Sequence, residues 1–137
     1  MKRVYFGLLP LIAVLAGLVI GWSGSPDRLD DHQTILIHFS HFEPEVITVK
    51  AGQPITFQLQ NQDPIEHEWI VGDEAVHARH RTGTETVHDE IPTEVTIPAF
   101  QTRVTTVTFD QPGEYAFICH LPGHEAYGMR GFVRVVE

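Results

Sequence analysis

One thiol, one imidazole and one thioether fall in a short segment near the end of the chain. Cys119 is followed by His124 five residues on and by Met129 five residues further, in the run CHLPGHEAYGM. Thiolate, imidazole and thioether are soft or borderline metal ligands. Together they suit copper, whereas magnesium and calcium select oxygen. A second imidazole from elsewhere would complete a His2Cys plane with a weak axial methionine, a set that passes single electrons. His67 is the best candidate for it, at the start of HEWIV and just after the Asp63-Pro64 turn.

Copper changes its preferred geometry with oxidation state. A β-scaffold carrying three donors on one loop resists rearrangement, which lowers the barrier to electron exchange. The cysteine must bind as thiolate, and the ion itself drives that deprotonation. Phe117, Leu121, Pro122, Ala126 and Tyr127 surround the donors in sequence and would exclude water.

The elements that must position these donors read as strands. Runs at Thr34–Phe39, Val46–Lys50, Glu68–Val71, Glu94–Ile97, Arg103–Phe109, Glu114–Cys119 and Gly131–Val136 carry strand composition. Ile55, Phe57 and Leu59 alternate with polar neighbours, the period of a half-buried strand. Ala51-Gly52, Asp63-Pro64, Val71-Gly72, Gln111-Pro112-Gly113 and Leu121-Pro122-Gly123 separate them as turns. Many short strands with Gly/Pro turns imply an all-β sandwich or Greek-key barrel. The polar, histidine-rich stretch from Val76 to Ile91 breaks this pattern and reads as a long loop or short irregular helix, an insertion near residues 73–92.

Composition narrows the partners. The 137 residues include 9 basic and 18 acidic side chains, for a formal charge of -9. Such a surface has no electrostatic reason to hold a phosphate backbone, so nucleic acid is not an expected partner. A single cysteine excludes an intrachain disulfide and any CxxC site. At the N-terminus, Lys2 and Arg3 precede an uncharged run from Val4 to Trp22, close to the roughly 20 residues that cross a bilayer. Residues 1–24 therefore read as an N-terminal helix that is either a membrane anchor or a cleaved signal. The basic pair stays inside, residues 25–33 form a linker, and the rest lies on the extracytoplasmic side.

The stretches FSHFEPEVITVKAGQPITFQLQNQDPIEHEW and PGEYAFICHLPGHEAYGMRGFVRVV resemble the cupredoxins, the blue-copper family of plastocyanin and azurin. The resemblance covers residues 34–137 and is similar in detail to periplasmic cupredoxins associated with copper tolerance and to cupredoxin domains of some oxidases. It implies a Greek-key β-sandwich holding one type 1 copper at one end. It also implies His67, Cys119 and His124 as equatorial ligands, Met129 as axial ligand, and a structural Tyr115. One-electron transfer without substrate turnover follows, with no small-molecule substrate. The expected partner is a redox protein such as a cytochrome or oxidase subunit, and the alternative role is copper handling for tolerance or delivery to an oxidase. The chain departs from plastocyanin and azurin at Glu68, where those proteins carry Asn after the first histidine. Its Cys-to-His spacing matches the longer azurin-type loop.

Further histidines invite a second metal. His77, His80 and His88 in the insertion could collect Cu(II), with Glu74, Glu85, Asp89 and Glu90 supplying oxygens. Strand alternation sends His120 to the side opposite Cys119, where the simplest expectation is an outer face.

Overall fold

The computed structural model describes residues 30–83 and 91–137. The expected N-terminal helix and His88 lie outside the described residues. Among the described residues no helix is long and apolar enough to cross a membrane.

Among the described residues, nine strands and one helix form two layers. The strands are β1 (His32–His38), β2 (His41–Glu43), β3 (Val46–Lys50), β4 (Pro54–Asn61), β5 (His67–Gly72), β6 (Glu94–Ile97), β7 (Thr102–Thr108), β8 (Gly113–Ile118) and β9 (Arg130–Val136). The helix α1 (Glu74–Arg81) lies between β5 and β6. One sheet runs β2-β1-β4-β7 and the other β3-β9-β8-β5-β6. The β1–β4 and β3–β9 pairs are parallel, and the remaining pairs are antiparallel. The chain crosses between layers repeatedly, so residues distant in sequence share one core.

The period-two pattern decides which side chains fill that core. In β4, Ile55, Phe57 and Leu59 are buried and the residues between them are not. Trp69 from the opposite sheet meets Phe57 with ring centroids 4.9 Å apart, and Phe117 meets Phe42 edge-on at 5.2 Å. Strand β2 escaped the sequence pattern because three residues are too few to show a period. It is made by a sharp reversal in which Phe39 and Ser40 both take positive φ, 53° and 57°. Asp63 holds that reversal, accepting the Phe39 and Ser40 backbone N–H groups at 2.7 and 2.8 Å.

Within the insertion, Glu74–Arg81 forms a regular helix where the sequence left loop and helix open, and residues 84–90 lie outside the described residues. Asp73 caps it through the Val76 N–H at 3.0 Å. Glu74 lies in the first turn and Arg79, His80 and Arg81 in the last, matching the helix dipole. Tyr115 packs against Phe109, with centroids 5.0 Å apart, and its hydroxyl donates to the Gln111 carbonyl at 3.0 Å, as a structural tyrosine should.

Gly131 sits where chain meets chain. A Cβ there would collide with the Phe117 ring and with the Glu45 carbonyl, which already accepts the Phe132 N–H at 2.7 Å. Gly131→Ala is therefore expected to cost about 1–3 kcal/mol, as overpacking does, read as a lower midpoint in urea unfolding with an unchanged slope.

Candidate metal centre

The four expected ligand residues come from two distant parts of the chain. His67 opens β5, Cys119 immediately follows β8, and His124 and Met129 lie on the loop that leads to β9. Backbone bonds fold that loop on itself. The Cys119 N–H reaches the Met129 carbonyl at 3.2 Å, and the Met129 N–H reaches the His124 carbonyl at 3.0 Å. The Pro122-Gly123 turn closes with the His124 N–H on the Leu121 carbonyl at 3.0 Å.

This folding brings three donors together. One ligand atom each from His67, Cys119 and His124 lies within 4.8 Å of the others. Cys119 Sγ is 3.2 Å from His124 Nδ1, and the His67 and His124 Nδ1 atoms are 3.3 Å apart. His67, Cys119 and Met129 are wholly buried, and His124 is half-buried at the rim. Met129 shares the core with Cys119, and its backbone is tied to both Cys119 and His124.

The electrostatics favour ligation at His67 and oppose the free thiolate at Cys119. Asp63 Oδ2 lies 2.9 Å from His67 Nε2 and accepts a hydrogen bond from it. That fixes the tautomer and leaves the Nδ1 lone pair aimed at the cluster. Asp63 is itself buried, which pushes its carboxyl up. The Ser40 and Phe39 N–H groups and His67 outweigh burial and hold it below the usual carboxylate range. Asn61 steadies this residue by accepting the Asp63 N–H at 2.9 Å, while its own amide donates to the Ile65, Ile97 and Pro98 carbonyls. Burial is also the main reason that His67 protonates only below its ordinary value. Burial pushes the Cys119 thiol up to about 11, against N–H groups from Glu68 and Leu121 that pull it down.

Asp63 is the residue that the sequence pattern missed, since Asp63-Pro64 reads as turn chemistry alone. The available signal was a carboxylate four residues before a candidate ligand. At Glu68, where plastocyanin and azurin carry Asn, the backbone N–H points at Cys119 Sγ, 3.4 Å away. His77 and His80 do sit together on α1, and both are buried, not on a solvated loop. His120 lies on the side of β8 away from Cys119, as alternation requires, but it is not on an outer face. α1 covers it, leaving its side chain 5% exposed.

The donor set fits one copper ion. Two imidazole nitrogens and a buried sulfur converge where a divalent ion would replace the thiol proton, and among the described residues no carboxylate oxygen joins the cluster. A two-layer β-sandwich with such a cluster at one end defines the class of single-copper β-sandwich proteins.

Comparison with known proteins agrees. The model of the cupredoxin-like domain family matches residues 11–135, and the chain belongs to that family. It is 28% identical over 128 residues to the copper-resistant cuproprotein CopI of Pseudomonas aeruginosa, covering 69% of this chain and 70% of that protein. It is 32% identical over 97 residues to CopI of Rubrivivax gelatinosus, covering 69% of this chain and 59% of that protein. Among solved structures it is similar to reduced auracyanin from Roseiflexus castenholzii, with a TM-score of 0.67, 22% identity, and coverage of 79% of this chain and 98% of that one. Auracyanin A, a blue copper protein from Chloroflexus aurantiacus, gives a TM-score of 0.61 at 24% identity over 77% of this chain and 98% of that one. These two likenesses confirm the fold.

The lowered His67 value has a consequence for the metal-free protein. A histidine whose folded pKa lies below its unfolded value of about 6.5 stabilises the fold fully above that pH. That contribution is lost as pH falls through 6.5 toward the folded value. The urea midpoint of the metal-free protein should therefore drop between pH 7.5 and 5, and His67→Gln should make the drop shallower.

Proposed function

We propose that this chain holds one copper ion through His67, Cys119 and His124, with Met129 as the axial ligand, and carries single electrons outside the cytoplasm. The observation that supports this most is the convergence of a buried thiol with two imidazole nitrogens, one of them oriented by a buried carboxylate. When bound, copper supplies a one-electron couple. The protein's part is to bind and to orient. Asp63 keeps the His67 ring turned inward. The Glu68 N–H offsets negative charge on the Cys119 sulfur. Leu121, half-buried against the core, and Met129 keep water away, while His124 stays at the rim as the shortest way out for an electron. The apolar run from Val4 to Trp22 supports a position outside the cytoplasm and tethering to the membrane.

A partner redox protein fits the surface around this rim. Tyr127 is 76% exposed beside the loop that carries His124, and Pro122 and Ala126 are exposed on the same loop. A net charge of -9 favours a basic docking patch on a cytochrome or oxidase subunit, in a weak contact that salt would loosen.

Copper handling is the second reading, favoured by the relatives named as copper-resistant cuproproteins. The two separate in the cell. A deletion strain that becomes copper-sensitive while respiration continues supports handling, whereas impaired respiration at ordinary copper supports carriage.

The ligand assignment is tested by variants of the full-length protein. Wild type loaded with Cu(II) should show an intense visible thiolate-to-copper band. Cys119→Ser should abolish it. Met129→Leu should keep the band and raise the reduction potential, because a donor to Cu(II) has gone. Asp63→Asn should also raise the potential and weaken copper retention about 10–100-fold. Loss of copper binding in Met129→Leu would contradict the axial role.

A further inference from the structure

A second group of histidines lies on the far side of β8. Cys119 points into the sandwich, so its neighbour His120 points away from it, under α1. His77 and His80 are three residues apart on the helix and share the face turned toward β8. The helix approaches this closely because β5 ends in Gly72, where a Cβ would stand 2.8 Å from Val76 Cγ2. Arg81 then fastens α1 to the ligand loop, pairing with Glu74 and, through two nitrogens, with Glu125.

The geometry within this group is specific. His77 Nδ1 and His120 Nε2 are 3.0 Å apart. The ring of His80 stacks on that of His120, with centroids 5.3 Å apart and planes at 19°. The other nitrogen of each close ring faces an acceptor. His77 Nε2 is 3.2 Å from the Ala116 carbonyl, and His120 Nδ1 is 3.7 Å from Glu125 Oε2. Two neutral imidazoles bring two protons to these four nitrogens. In the metal-free protein one of the facing nitrogens donates to the other, and a divalent cation can take the place of that shared proton and receive both lone pairs. An outer N–H held by a carbonyl, as His77 Nε2 is by Ala116, is also how metal-bound histidines are oriented.

The spacing suits an ion. Two nitrogen donors at about 2.0–2.1 Å and at a right angle stand about 2.9 Å apart, as in a tetragonal N,O site. An open cleft of about 370 Å³ runs alongside, lined by His80, His120 and Glu125 among others, which gives access from solvent and room for water ligands. Glu94, with Oε2 3.6 Å from His80 Nε2, adds a second carboxylate.

We infer that His77 Nδ1 and His120 Nε2 form a second metal site for a borderline divalent cation, with His80 and Glu125 beside it at the cleft. Cu(II) stands highest in the affinity order for such donors. The site shares no ligand with the Cys119 cluster, yet it is joined to it by the single peptide link between Cys119 and His120.

The test is a Cu(II) titration of the metal-free full-length protein, followed by metal analysis and EPR. Two equivalents are expected. One gives the thiolate colour. The other is nearly colourless and carries nitrogen couplings from two imidazoles. Cys119→Ser should lose the first signal and keep the second. His77→Gln with His120→Gln should keep the colour and bind the second equivalent at least about tenfold more weakly. Should that double variant misfold, NMR of wild type with Zn(II) decides, because the His77 and His120 ring signals must shift together. A titration that ends at one equivalent overturns the inference. So does a second equivalent that survives in the double variant, for example at the exposed Asp30, Asp31 and His32, or ring signals that Zn(II) leaves unmoved.

Discussion

The hydrogen bond between His67 and Asp63 is the constraint on which the metal centre depends. Imidazole offers two nitrogens, and a buried ring with no partner could present either. A carboxylate at 2.9 Å settles the choice: it accepts a hydrogen bond from Nε2–H, which leaves the Nδ1 lone pair facing Cys119 and His124. The same carboxylate holds the Phe39–Ser40 reversal. One buried anion thus couples the turn between β1 and β2 to the end of β5 that carries His67. Removing its charge disturbs a fold contact and a ligand together.

The site is built from a tension between burial and charge. Burial favours the thiol of Cys119 and the neutral form of His67. In the metal-free protein burial thus keeps charge off the Cys119 sulfur and the His67 ring. A divalent ion reverses this preference at the sulfur, because its charge stabilises the thiolate more than burial penalises it. The rigid sandwich contributes by limiting how far the donors move: Cys119, His124 and Met129 are bonded to one another through the backbone, and Trp69, Phe57 and Phe117 fill the space beneath them.

Much of this was legible in the residues. The Cys119–Met129 loop could be read directly because its three donors are contiguous, and strand alternation in β4 and β8 fixed which side chains face inward. His67 was legible from its place after a turn and before a strand. Asp63 was not, because its role is tertiary: a turn residue and a hydrogen-bond acceptor look alike in sequence. Strand β2 was too short to carry a period. The pairing of His77 with His120 joins residues 43 positions apart. It depends on α1 packing at Gly72, which no local pattern reveals, so His120 read as an outer residue although its side of the strand was correctly given.

The central claim is that nitrogen and sulfur donors of His67, His124 and Cys119 share one copper ion. X-ray absorption on the protein carrying a single equivalent of Cu(II) tests this most directly. The account predicts one short sulfur scatterer together with two imidazole nitrogens, and loss of the sulfur shell in Cys119→Ser. A first shell of nitrogen and oxygen alone in the wild-type protein would contradict it.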